Sequence, residues 1–90
     1  MTTRWRITIY GKVQGVYYRK STREKALELG VDGWVRNLDN GCVEAEVQGD
    51  SEMLNTLFDW CKIGPQAAEV SHLEKEEISV IEESGFYIRY

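Results

Sequence analysis

Two stretches of the sequence carry residue types that could do chemistry. In GKVQGVYYRKST, residues 11–22, two glycines frame a short turn, and Arg19 and Lys20 follow a pair of tyrosines. A helix starting after such a turn holds both cations at its N-terminus, where the peptide dipoles disfavour positive charge. An anion bound between them removes the conflict. Glycines let the backbone approach a ligand closely, N–H groups at a helix start form an anion-binding concavity, and a guanidinium fork matches phosphate oxygens bidentately. The loop Gly15, Val16, Tyr17, Tyr18, Arg19 is therefore a candidate anion site, against the plainer alternative of a strand-to-helix turn with an exposed arginine. The second stretch is GWVRNLDNG, residues 33–41, in which Asn37 lies near a strand end. On pattern alone Asn37 reads first as a turn former before a hairpin.

Three familiar phosphate loops are excluded by their letters. A Walker loop needs glycine directly before Lys-Ser/Thr, but Arg19 precedes Lys20-Ser21. A dinucleotide fingerprint needs G-x-G-x-x-G, which Gly11-x-x-x-Gly15 does not supply. A cysteine-dependent phosphatase needs a thiol a few residues before its arginine, and this segment has none. The loop thus offers an anion cradle without a covalent nucleophile.

Regular elements must hold these residues in place. RWRITIYGKV alternates, with Trp5, Ile7, Ile9 and Val13 on one side and Arg4, Arg6, Thr8, Tyr10 and Lys12 on the other, the period of a half-buried strand. After Gly15 the spacing changes: Tyr18, Thr22, Ala26 and Leu29 form a helical stripe that Gly30 ends. VDGWVRNLDNGCVEAEVQG holds two strands around a turn at Asp39-Asn40-Gly41, with Val43, Ala45 and Val47 inward and Glu44, Glu46 and Gln48 outward. Asp50 or Ser51 can cap a second helix, on which Leu54, Leu57, Phe58 and Cys61 share a face until Gly64-Pro65. AAEVSHLEKEEISV contains strand-like pieces, and FYIRY reads as a short last strand with Phe86, Ile88 and Tyr90 on one face. The order β-α-β-β-α-β, with room for one more strand, predicts an α+β ferredoxin-like split βαββαβ sandwich. Two helices would pack on one face of an antiparallel four- to five-stranded sheet. That fold serves many functions, so function must be argued from a site.

Ninety residues are expected to form a single domain, 1–90. An apolar share of 42% and a charged share of 29% place the chain among globular proteins. No apolar run approaches the roughly 18 residues of a membrane span and no signal-peptide core precedes the first strand, so the expectation is a cytoplasmic protein without a membrane partner. Cys42, Cys61 and the single His72 are too few for a soft-ligand metal site or a disulfide framework; both cysteines read as reduced packing residues, and no metal or cofactor is expected. The net charge of −4 argues against a general nucleic-acid binder. Yet residues 1–23 carry +6 and no acid, while the remaining 67 carry −10. Such asymmetry suits a local field for a small anion. Arg4, Arg6 and Arg23 read as solvated positions on basic faces, and Lys20 as a solvated neighbour of Arg19.

Taken together, GKVQGVYYRKST, LGVDGWVRNLDNGCVEAEVQG and WCKIGPQAAEV resemble the acylphosphatases, small hydrolases of carboxyl-phosphate mixed anhydrides. The likeness spans about residues 5–70. It implies that Arg19 is the phosphate-binding arginine, with the loop Gly15–Arg19 around the phosphoryl group, and that Asn37 orients the attacking water. It also implies a small-molecule acyl phosphate as substrate and inorganic phosphate as product and inhibitor; nothing in the sequence demands more than a monomer. Two departures are mild: Tyr18 stands where phenylalanine is usual and needs a partner for its hydroxyl, and Lys12 holds a position often occupied by arginine.

The implied chemistry matches the residue types available. Hydrolysis of an acyl phosphate expels a carboxylate, which needs no protonation, so a site without histidine or general acid suffices. Two other readings share the topology. An RNA-recognition domain should present aromatic rings on its third strand, whereas Val43-Glu44-Ala45-Glu46-Val47 is acidic and ringless. A non-catalytic module that binds an acyl phosphate or a protein partner normally sits within a longer chain.

Overall fold

The computed structural model describes residues 2–90. Strand β1 (Thr2–Lys12) leads through a loop to helix α1 (Tyr18–Leu29), then to β2 (Asp32–Asn37), β3 (Val43–Asp50), helix α2 (Ser51–Cys61), β4 (Glu69–Ile78) and β5 (Phe86–Arg89). The sheet order is β4-β1-β3-β2-β5. This is the expected ferredoxin-like arrangement, with the fifth strand added at the edge beside β2.

The alternation in the first strand works as read. Trp5, Ile7 and Ile9 face Val47, Ala45 and Val43 across the β1–β3 ladder, and all six are buried. Leu54, Leu57 and Cys61 of α2 and Tyr18 and Ala26 of α1 close the other side of this core. A one-residue slip of register would turn this whole set to solvent, so the pairing is strongly specified. The hydrophobic stripe of α1 is narrow, and Leu29 at its end is only half-buried. The thiol of Cys61 is pushed up to about 12 by burial, and Cys42 is also free and buried.

One pairing differs from the antiparallel expectation. β5 runs parallel to β2, which makes the sheet mixed. The reason lies in the connection. β4 and β5 are at opposite edges, so residues 79–85 must cross the sheet before β5 begins. On the way, Ile81 N–H donates to Gln48 Oε1 at 3.0 Å, Gln48 Nε2 donates to the Ile81 carbonyl at 2.8 Å, and Gly85 N–H donates to Asp32 Oδ1 at 3.0 Å. The strap thereby buries two residues expected to be solvated, Gln48 and Arg4.

Arg4 is only 1% exposed. Its guanidinium donates to Glu46 at 2.8 Å, Glu83 at 2.9 Å and Gln48 at 3.2 Å. A buried cation needs such full compensation, because removing charge from water costs several kcal/mol. Arg6, in register with Glu46 and Glu76, pairs with both at 3.1 and 3.0 Å. Arg23 is exposed along α1 but not free, since Nε donates to the Phe86 carbonyl at 3.0 Å and ties the helix to β5.

Candidate active site

The strand directions decide where chemistry can sit. β1, β2 and β5 all end at the same end of the sheet, so the loop after β1, the last residue of β2 and the last residues of the chain converge there. A pocket of about 230 Å³ lies at that end, lined by Val13, Gly15, Tyr17, Tyr18, Arg19, Lys20, Asn37, Ile88 and Tyr90. This is below the roughly 300–1,000 Å³ of pockets for drug-sized ligands, so the fitting ligand is small. No Asp, Glu or His lines it.

The loop conformation is unusual. Gly15 adopts φ +73°, open to glycine at no steric cost, and Tyr17 adopts φ +62°, which costs a non-glycine residue roughly 1–2 kcal/mol. Tyr17 is also 78% exposed, so burial of its ring does not offset that strain. Two positive-φ residues separated by one residue, leading directly into a helix start, bend the loop tightly around the mouth of the pocket. The Val16 side chain is buried in the core and absent from the pocket wall. Its place in the loop is a matter of backbone alone.

The two helix starts differ in a telling way. α2 begins conventionally: Asp50 Oδ1 accepts from Glu52 N–H at 3.0 Å, and Glu52 adds an acid to the first turn. α1 has no side-chain cap and no acid in its first turn. Its first N–H groups lack intrahelical acceptors, as at every helix start, and here the neighbouring side chains are the cations Arg19 and Lys20. Neither pairs with a carboxylate side chain among the described residues. Lys20, expected to be only a solvated neighbour, is exposed but forms part of the pocket wall.

Arg19 is held from the far edge of the sheet. Its Nη1 donates to the Arg89 carbonyl at 3.3 Å, and its guanidinium carbon lies 4.9 Å from the Tyr90 ring centroid. These contacts orient the fork. Tyr18 anchors the helix start from below, with its buried hydroxyl donating to the Cys61 carbonyl at 2.6 Å. Burial pushes the ionisation of that phenol far above its ordinary value, so it remains a neutral donor. The ring lies where any Cβ on Gly64 would meet it at 2.6 Å, which accounts for glycine in the Gly64-Pro65 turn.

Asn37 sits at the end of β2, opposite Val43, and faces the pocket. The turn-forming role belongs instead to Asn40, whose Oδ1 accepts from Cys42 N–H at 3.0 Å. Asn37 is thus free of the structural task that its position suggests. Pattern reasoning missed Val13, Ile88 and Tyr90, because nothing in the spacing of FYIRY shows which strand it will join.

The fold is a small α+β sandwich with a pocket at one end of its sheet, whose wall brings the Asn37 amide together with two cations that pair with no carboxylate side chain among the described residues. The acylphosphatase family model matches residues 5–88. The curated acylphosphatase of Synechococcus sp. (strain CC9311) is 47% identical over 89 residues, covering 99% of each chain. Among solved structures, an acylphosphatase from Coxiella burnetii superposes with a TM-score of 0.95 at 43% identity, covering 98% of this chain and 93% of that one. The acylphosphatase from Bacillus subtilis superposes at 0.94 with 31% identity over the whole of both chains. The chain belongs to the acylphosphatase family.

Proposed function

We propose that the pocket cleaves acyl phosphates with this chain's own amides, one guanidinium and one side-chain amide. Family membership makes the protein an acylphosphatase, an enzyme hydrolysing the carboxyl-phosphate bond of small acyl phosphates to carboxylate and inorganic phosphate. The observation that carries the mechanism is the uncapped start of α1, with Arg19 and Lys20 unpaired beside it and Asn37 facing them across the pocket.

In this reading the loop amides from Gly15 to Arg19, with the Arg19 fork, hold the phosphoryl oxygens and stabilise charge as it develops. Asn37 orients a water in line with the scissile P–O bond. The water oxygen attacks phosphorus, the P–O bond to the acyl group breaks, and the carboxylate leaves with the electron pair. The water's proton passes to a phosphoryl oxygen of the substrate, since neutral Asn37 is too weak a base to take it. The only histidine, His72, stacks on Tyr10 at 4.1 Å and does not line the pocket. Inorganic phosphate, as product, occupies the same cradle and inhibits. The reading carries two expectations from the sequence, a cytoplasmic location and a monomer, which fractionation and sedimentation would test. No helix among the described residues is long and apolar enough to cross a membrane.

The test is hydrolysis of benzoyl phosphate beside para-nitrophenyl phosphate with chelator present. The expected result is rapid turnover of the first alone, with no histidine-like titration of the rate. Asn37→Ala should lose turnover yet keep phosphate inhibition. Equal rates on the two substrates, or near wild-type turnover by Asn37→Ala, would overturn the mechanism.

A further inference from the structure

The phosphoryl cradle and the residue facing it come from elements that are not neighbours. β3 lies between β1 and β2 in the sheet, so the loop after β1 must cross over to reach α1 above β2 and β5. Two groups that must cooperate at ångström precision are therefore joined through a crossing segment, and something must fix that segment relative to the end of β2. Val13 and Val16 anchor it into the core at either side. Between them, Gln14 makes a different connection. Its Nε2 donates to the Leu38 carbonyl at 2.7 Å and to the Cys42 carbonyl at 2.9 Å. Leu38 directly follows Asn37, and Leu38 N–H itself donates to the same Cys42 carbonyl at 2.8 Å. One side-chain nitrogen thus closes both sides of the β2–β3 turn and ties them to the residue preceding Gly15.

We propose that Gln14 is a positioning residue for hydrolysis, setting the distance and angle between the phosphate cradle and Asn37. The residue type fits the task. A primary amide carries two N–H donors on one atom, so it satisfies two carbonyls without bringing a charge beside the pocket. Hydroxyl side chains have one donor, and lysine would add a third cation next to Arg19 and Lys20. Binding of phosphate needs only the loop and Arg19, which Val13 and Val16 hold, whereas turnover needs the loop and Asn37 in register. A displacement near 1 Å costs about 10²-fold in rate when reacting groups must align. This inference rests on the reading of Asn37 as the residue that orients water.

The experiment compares wild type, Gln14→Met, Asn37→Ala and the double variant, with benzoyl phosphate as substrate and inorganic phosphate as inhibitor. Methionine keeps the length of the side chain and removes both donors. Gln14→Met should lower kcat by about 10- to 100-fold, within the range that misalignment produces, while the phosphate inhibition constant changes by less than about 3-fold. In the Asn37→Ala background the same substitution should cost less than about 2-fold further, because groups acting as one unit are non-additive. Gln14→Asn, which keeps the amide but draws it back by one methylene, gives the same readout if the methionine variant does not fold. Unchanged kcat in Gln14→Met overturns the proposal. So does a full additional loss in the double variant, or a parallel loss of phosphate affinity, since either places Gln14 in holding the loop rather than in aligning Asn37. If Asn37→Ala alone turns over normally, it is the role of Asn37 that fails, which the single variant distinguishes.

Discussion

Arg19→Ala separates catalysis from stability in a way that few surface substitutions do. In the proposed complex the guanidinium gives two charge-assisted hydrogen bonds to phosphoryl oxygens, each contributing about 1.5–3 kcal/mol. Arg19 is half-exposed, so the lower end applies, and the loss is about 3 kcal/mol or about 100-fold in kcat/KM. The folded state should lose much less. Removing the side chain forfeits the contact with the Tyr90 ring at 4.9 Å and the 3.3 Å bond to the Arg89 carbonyl. An exposed cation–π contact contributes about 0.5–1 kcal/mol. It also removes a cation from the uncapped start of α1, which is favourable by about 0.3–1 kcal/mol. With about 0.5 kcal/mol for the exposed 3.3 Å bond, the net loss is at most about 1 kcal/mol, so Tm should fall by less than about 8 °C for a chain of this size. The second readout is ligand-induced stabilisation. Inorganic phosphate at about ten times Kd stabilises wild type by about 1.4 kcal/mol, a Tm rise of about 6–11 °C. The variant should show no rise at the same concentration. Hydrolysis of benzoyl phosphate and a thermal melt with and without phosphate give all three numbers. Activity within about 3-fold of wild type, or an undiminished phosphate shift, would refute the assignment of Arg19 as the anion's main partner, since the 100-fold figure depends on it.

Other expected outcomes concern the fold around the site. Arg4→Ala should cost about 3 kcal/mol by urea denaturation, at the low end for a broken buried pair because Arg6 still holds Glu46; a cost under about 1 kcal/mol would show that the strap's ion cluster contributes little. Burial alone would raise the Glu46 carboxyl, but hydrogen bonds from Arg4 and Arg6 outweigh it and hold the group below its ordinary value. Its stabilising contribution is therefore complete above the unfolded-state value of about 4.3 and lost as pH falls through the lower folded value, so the urea midpoint should drop below about pH 5 and drop less in Glu46→Gln. Tyr18→Phe leaves the Cys61 carbonyl without its 2.6 Å donor and should cost about 1–2 kcal/mol, while kcat changes little; a large fall in kcat at unchanged Tm would instead give the hydroxyl a part in turnover.

The sequence made the framework legible wherever one face is buried and the partner is periodic. Trp5, Ile7 and Ile9 against Val43, Ala45 and Val47 is a pairing that period-two patterning almost dictates. The same logic failed for Arg4 and Gln48, which sit on the correct face of their strands but under a strap whose path no local pattern encodes. Their partners, Glu83 and Ile81, are separated from them by 79 and 33 positions, and only the decision of β5 to pair with β2 brings them over the sheet. At the site, the conflict between Arg19 and a helix start could be read locally because both parties are adjacent in sequence. Asn37 could not be distinguished from Asn40 until the turn was seen to use the second of them. Gln14 gave no signal, since a polar residue between two glycines looks like ordinary loop composition.

The charge asymmetry of the chain therefore has two separate causes. Arg4 and Arg6 are spent within the fold, where acids from β3, β4 and the strap surround them on the outer face of the sheet. Arg36 meets Glu44 in the same way, at 2.7 Å. These pairs neutralise one another locally, and fields from exposed charges fade within about 8–10 Å at ordinary ionic strength. They add little at the end of the sheet. In the pocket wall there, Arg19 and Lys20 pair with no carboxylate side chain among the described residues and stand beside a helix start that no side chain caps. The acids that make the protein anionic overall thus serve the pocket by exclusion. They occupy the arginines that the fold needs and leave the two at the helix start for a ligand. Adding an acid at the first turn of α1, as Glu52 does for α2, would improve the helix and fill the place that the proposed mechanism gives to the phosphoryl group. In the proposed mechanism the poor cap of α1 is the cost of the site.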